Sequence, residues 1–308
     1  MLIVYYVVDI QNGNMSYGDV QSALNDAFDV WSAVTPLQFI PVTDPKTQLP
    51  RLRLSFGAVT QDGPDSETKG YASNTLFSRS CRIVFNSEHA WTPDDLLGTA
   101  VHELGHAIGL QHSSELASVM YPYDQGEFSG LSAADVESGQ AYCIQNNVGS
   151  PFVLTNSAFK LQNVATGQIV SQWYSGSSYY YPQVDTSTDY EPFFFTGDGS
   201  GQRTGQQVMI LTSNTAGMSS SWQASNQLTA FNDGVGYWNY GATSPQANWT
   251  LEFPFADPSK SAGATILFGN QVRIKNASYN QYLYPYLVKN YLWTKASPDA
   301  DTVWQIIQ

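Results

Sequence analysis

Apolar and polar positions follow two successive regimes along this chain. An apolar run from Ile3 to Asp9 reads as a first strand, and from Tyr17 to Ala33 the residues Val20, Leu24, Ala27, Phe28 and Trp31 recur at helical spacing, which predicts an amphipathic helix. Pro36 ends that helix. Arg51 to Phe56 alternates with period two, as a half-buried strand does; QDGPDSETK at 61–69 is a polar loop, and Arg82 to Phe85 is a further short strand. A second helix opens with Thr92 as N-cap, Pro93 at the first helical position and Asp94 and Asp95 in the first turn, where carboxylates meet the positive end of the helix dipole. It runs to about Gly109. Ser132 opens a third helix through about Tyr142, and NNVGSP at 146–151 is the expected linker.

Beyond Pro151 the helical period disappears. Short strands alternate with Gly, Asn, Ser and Pro, which predicts an all-β second half with an internal repeat. FKLQNVATGQIV at 159–170 aligns with VRIKNASYNQYL at 272–283, and each leads to an aromatic closing strand, at 192–195 and 303–306. A looser copy runs from Val208 to Asn214 and closes on Asn248 to Leu251. Three copies point to a three-fold arrangement.

Composition sharpens the division. Residues 1–150 hold 6 Lys and Arg against 17 Asp and Glu, a net of −11, whereas the remainder holds 7 against 9, a net of −2. Aromatic residues shift the other way, 15 before the boundary and 27 after it, so the halves are built differently. An overall charge of −13 excludes a nucleic-acid partner, because nothing in the chain would neutralise a run of phosphates. No apolar run approaches the roughly 20 residues of a membrane span, and MLIVYYVVDI lacks the basic flank and cleavage site of a signal peptide. The two cysteines, Cys81 and Cys143, allow either one bridge or two free thiols.

The chemistry concentrates in His102-Glu103-Leu104-Gly105-His106-Ala107-Ile108-Gly109-Leu110-Gln111-His112. Two histidines four apart project from one helix face and can bind one ion together. Gly109 takes the left-handed turn at the helix end without steric cost, so His112 can swing back as a third ligand. Three neutral imidazoles leave the fourth position of a tetrahedral zinc to water, the open geometry of a catalytic site. Glu103, beside the ligands, is the candidate general base that takes a proton from that water. A lone helical histidine is ordinarily a packing or surface residue, and His89 beside Trp91 is read that way. Five specified positions, however, arise by chance on the order of once in 100,000 chains of this length.

On these residues the first half resembles the metzincin metallopeptidases, and most closely their matrixin branch. Ser113 follows the third histidine as in that branch. Ser118-Val119-Met120-Tyr121-Pro122 looks like its Met-turn, with Met120 beneath the metal site. Ala27 to Ser32, Thr35 to Phe39 and Leu131 to Val136 are similar to its first helix, second strand and last helix. The resemblance implies a zincin-like α+β domain at 1–146, with a twisted mixed sheet and three helices. It also implies peptide hydrolysis, and Pro122 and Tyr123 as walls of a substrate pocket. Three departures stand out. The stretch 57–85 contains no histidine, so one catalytic zinc is expected and no structural one. Asp62 and Asp65, in Asp62-Gly63-Pro64-Asp65, are the candidate calcium ligands, and alone they make a thin set of hard oxygens. Finally, no inhibitory segment with a zinc-capping cysteine precedes the domain.

After the linker at 147–151, residues 152–308 resemble a ricin-B-like β-trefoil. That likeness implies a lectin-like module in which Trp173, Tyr174, Tyr179, Tyr180, Trp238, Tyr240, Tyr284 and Tyr286 either stack on sugar rings or fill the core. The combined expectation is a monomeric, secreted zinc endopeptidase with a protein or peptide substrate, targeted by a carbohydrate- or protein-binding module. The competing expectation is a lectin or toxin-like binding protein whose protease domain is cargo or inactive.

Overall fold

The computed structural model describes the chain apart from residues 1, 10–13, 60–67, 79, 124–125, 149–152, 154–156, 176–179, 187–191, 198, 213–225, 233, 239–243 and 256–257, and apart from the side chains of 172–175, 180 and 260. The chain divides into two compact units: Met1–Ser150 with Phe255–Lys260, and Pro151–Pro254 with Ser261–Gln308.

In the first unit, strands β1 (Leu2–Asp9), β2 (Leu37–Pro41), β3 (Leu52–Gly57), β4 (Gly70–Ser73) and β5 (Cys81–Asn86) form one sheet in the order β2-β1-β3-β5-β4. All neighbours are parallel except β4, which lies antiparallel on the β5 edge. Helices α1 (Tyr17–Val34), α2 (Pro93–Ile108) and α3 (Ala133–Gln145) complete the unit. The apolar stripe of α1 is buried from Val20 through Trp31, as its period predicts, and Trp31, wholly buried, donates its indole N–H to Val101 O on α2 at 2.9 Å. That bond joins the first helix to the turn of α2 that carries the histidines.

Local chemistry sets the ends of α2 and α3. Thr92 Oγ1 accepts the Asp95 amide at 3.2 Å, and Gly109 closes α2 at φ 123°, a region where a side chain is strained. A Cβ at Gly109 would also enter the ring of Tyr142. In α3, Ser132 and Asp135 cap each other's backbone reciprocally. The helix runs three residues beyond the expected Tyr142 because Cys143 is buried and Asn146 serves as C-cap. Asn147 follows at φ 60°, and the rest of the expected linker, from 149 to 151, lies outside the described residues.

Among the described residues the second unit holds twelve strands: β6 (Lys160–Asn163), β7 (Ile169–Ser175), β8 (Tyr180–Asp185), β9 (Phe193–Phe195), β10 (Val208–Thr212), β11 (Leu228–Phe231), β12 (Gly234–Tyr237), β13 (Asn248–Glu252), β14 (Gln271–Asn276), β15 (Gln281–Tyr286), β16 (Tyr291–Lys295) and β17 (Val303–Ile307). Six of them run β9-β10-β13-β14-β17-β6, each antiparallel to the next. The ring closes where Phe159 and Phe193 exchange two 2.9 Å backbone hydrogen bonds, making a barrel. The other six form the hairpins β7-β8, β11-β12 and β15-β16.

Each aligned copy therefore gives its first and fourth strands to the barrel and its middle pair to a hairpin. Equivalent residues brace the copies. The buried indoles of Trp249 and Trp304 donate to Leu228 O and Leu283 O, 21 residues earlier in both cases. Asn163 donates to Asp301 O at 2.7 Å and accepts from the Thr166 amide; Asn276 donates to Gln246 O at 2.9 Å and accepts from the Tyr279 amide. Phe159, Phe193, Phe195, Ile210, Trp249, Leu251, Val272, Ile274, Trp304 and Ile306 fill the interior.

Candidate metal centre

Helix α2 presents His102 and His106 on one face, one turn apart, and the turn at Gly109 returns the chain so that His112 faces both. Ring centroids lie 4.8 Å apart for His102 and His106, 5.3 Å for His102 and His112, and 4.8 Å for His106 and His112. One nitrogen from each ring falls within 4.8 Å of the others. Two of the rings are fixed by backbone. His102 Nδ1 donates to Val119 O at 2.7 Å and His106 Nδ1 to Leu110 O at 2.8 Å. A carbonyl oxygen only accepts, so in both rings Nδ1 carries the proton and Nε2 keeps its lone pair. Burial holds the His102 imidazole down at about 4 and depresses His106 as well, so both rings stay neutral at physiological pH. Neutral imidazoles oriented by backbone carbonyls are the donor set a zinc ion requires.

Glu103 sits between the ligands in sequence but faces inward, 5% exposed, toward β4. Its carboxyl accepts the Ala72 amide, and burial nevertheless pushes it up to about 7. Among the described residues Glu103 Oε2 has no hydrogen-bond partner. A buried carboxylate oxygen left unmatched costs free energy. A dication or a polarised water alongside would satisfy it. The residues present therefore fit a catalytic metal.

Met120 is buried, and a Cβ at Gly105 would run into its sulfur, so the missing side chain of Gly105 allows the close approach of α2 to the turn at 118–120. Pro122 and Tyr123 follow that turn and are exposed, Tyr123 at 71%, with its ring 5.7 Å from that of Tyr121. His89 stands apart from the triad, as its sequence context indicates: it packs edge-on against Trp91 and bonds Asp95 at 3.2 Å. Asp62 and Asp65, the candidate calcium ligands, lie outside the described residues. Cys81 and Cys143 are both buried free thiols, each pushed up to about 12 by burial.

Sequence reasoning missed Asp135. Its buried carboxylate accepts from Ser118 Oγ at 2.5 Å, Val119 N at 3.0 Å, Ser132 N at 2.9 Å and Ser132 Oγ at 2.8 Å. Its place three residues after Ser132 gave a capping signal, but the contact with 118–119 is tertiary and leaves no trace in spacing.

Residues 3–142 match the family model for matrixin. Matrix metalloproteinase-C of Caenorhabditis elegans is 30% identical over 134 residues, covering 39% of this chain and 23% of that protein. Interstitial collagenase of Oryctolagus cuniculus is 31% identical over 149 residues, 44% of this chain and 31% of that protein. The hatching enzyme of Paracentrotus lividus is 32% identical over 130 residues, 40% and 22% respectively. The match thus spans less than a third of the length of each of these relatives. Among solved structures, the lysenin pore gives a TM-score of 0.39 at 13% identity, over 51% of this chain and 48% of that one. The first unit is a zincin-like α+β fold with a mixed sheet and three helices. Within it, residues 3–142 are a matrixin domain.

Proposed function

We propose that this chain is a zinc-dependent endopeptidase in which His102, His106 and His112 hold the metal and Glu103 is the general base. The observation that carries the reading is the convergence of three imidazoles, two of them held neutral by burial, together with a buried carboxylate whose Oε2 lacks a partner among the described residues. The matrixin domain supports peptide substrates. When bound, zinc supplies Lewis acidity, acidifying a water and polarising the scissile carbonyl. Glu103 Oε2 accepts the proton of the attacking water, and the carboxyl then returns it to the departing amine. Positive charge alongside lowers Glu103 from about 7 and keeps it ionised as a base. Met120 and Gly109 shape the floor and the returning turn, while Pro122 and Tyr123 border the pocket for the substrate side chain after the scissile bond.

On this reading residues 1–146 are the catalytic domain, 147–151 the linker and 152–308 a β-trefoil that binds glycans or a protein surface. Support for the trefoil comes from the closed six-stranded barrel and the three four-strand copies braced by equivalent Trp and Asn bonds. Such a module raises the local concentration of tethered substrate without adding a contact at the active site. An extracellular setting fits a protease of this family.

Metal analysis with cleavage of a denatured protein, comparing the unmodified chain with Glu103→Ala, tests the proposal. About one zinc per chain in both forms, with chelator-sensitive cleavage only when Glu103 is present, is the expected result. Neither zinc nor cleavage in the unmodified chain would refute it.

A further inference from the structure

We infer that Asp135 is a positioning residue for the metal centre: from helix α3 it clamps the turn at 118–120, whose carbonyls in turn set two of the three histidines. The inference rests on the metal-centre reading above. One carboxylate oxygen of Asp135 accepts from Ser118 Oγ at 2.5 Å, and that hydroxyl accepts the Met120 amide at 3.0 Å. The other oxygen accepts the Val119 amide at 3.0 Å. Both amide groups that define the turn are thereby tied, directly or through one hydroxyl, to a single side chain only 3% exposed.

The turn faces the ligands with its carbonyls. Val119 O takes the His102 Nδ1–H at 2.7 Å, which fixes the tautomer and plane of that ring. Met120 O takes the Ser113 amide at 2.8 Å, which anchors the chain one residue beyond His112. His106 is set separately, by Leu110 O. Asp135 therefore acts on His102 and His112 through two peptide groups. A carboxylate suits the task because it only accepts, and its neighbours here present four donors. An amide of the same shape would turn N–H groups toward some of those donors.

The test is Co2+ titration of the full chain against a competing chromophoric chelator, together with the Co2+ absorption band, for the unmodified chain, Asp135→Asn and Ser132→Ala. Helical circular dichroism serves as the folding check. Asp135→Asn is expected to keep the fold, to weaken Co2+ binding by about 10–100-fold and to shift the band. Ser132→Ala loses a helix-capping bond but keeps the Val119 clamp, so affinity and band are expected to stay as in the unmodified chain. Unchanged affinity and band in folded Asp135→Asn would overturn the inference, as would an equal loss in Ser132→Ala, which would mark mere loosening of α3. If Asp135→Asn does not fold, Ser118→Ala carries the test: it removes the Met120 tether, a several-fold loss is expected, and no loss overturns the inference. Failure of the unmodified chain to take up Co2+ would instead sink the metal-centre reading itself, and this inference with it.

Discussion

Replacing Glu103 with Gln in the metal-stripped protein should stabilise the first unit, and by an amount that depends on pH. Glu103 ordinarily titrates at 4.5, as it would in the unfolded chain, whereas burial pushes it up to about 7 in the fold. Between those values the folded state holds a proton that the unfolded state releases, so stability falls as pH rises through the window, with the full penalty above 7. The displacement corresponds to about 3 kcal/mol at pH 8 and less than about 1 kcal/mol at pH 5. Gln keeps the shape of the side chain and carries no charge, so it escapes the penalty. His102, depressed to about 4, works in the opposite direction: its neutral burial costs stability as pH falls from 6.5 toward 4. That cost is common to both proteins and cancels in their difference. Urea unfolding of chelator-treated full-length chains, followed by helical circular dichroism, reads the first unit, where all three long helices lie. At a slope of about 1–3 kcal/mol per molar, Glu103→Gln should raise the midpoint by roughly 1–3 M at pH 8 and much less at pH 5. Equal midpoint differences at the two pH values would refute the assignment of a strained, buried carboxylate.

Other consequences are as accessible. On the proposed reading His112→Ala removes a metal ligand but no core group, so metal content should collapse while the unfolding free energy of the metal-free chain stays within about 0.5 kcal/mol of its parent. Gly109→Ala combines a positive φ with a Cβ driven into Tyr142, and should cost about 1–3 kcal/mol by urea unfolding. Asn163→Ala strips two carbonyls and two donors on Thr166 of a buried partner, and should cost about 1–3 kcal/mol in the second unit, measured by hydrogen exchange of the barrel amides. Thiol titration should count two free groups in unfolded, unreduced protein and very slow reaction in the native state, because both thiols are buried and pushed up to about 12.

What could be read in advance was local. His102 and His106 share a face by helical period alone; Thr92 and Ser132 announce helix starts through side chains that act on their own backbone, and Gly109 announces a helix end because it takes a positive φ without a Cβ penalty. Edge strand β4 went unnoticed because GYAS is four residues of mixed polarity, stabilised by pairing with β5 and not by its own pattern. The tethers that orient His102 and His106 were invisible for another reason: a carbonyl acceptor exists at every residue, so Val119 and Leu110 carry no mark of their role. Asp135 reaches across 16 residues to Val119, and only the fold brings them together. In the second half the aromatic closing strands gave the repeat away. The matching roles of Asn163 and Asn276 were hidden, since an asparagine before a turn is ordinarily explained by the turn. The state of Cys81 and Cys143 could not be read from their spacing, because pairing depends on a distance in space.

The closing seam of the barrel sets a timetable. Strand β6 finds its β17 partner only across a gap of about 140 residues, as in the bond from Asn163 to Val303. At a synthesis rate of about 5–20 residues per second, β6 waits roughly 7–30 s before that partner exists. Hairpins such as β7-β8 and β15-β16 form within microseconds by comparison. Newly made chains thus pass through an interval in which the β7-β8 hairpin is in place while β6 presents an unpaired edge, and during that interval the second half is most exposed to pairing with a neighbouring chain.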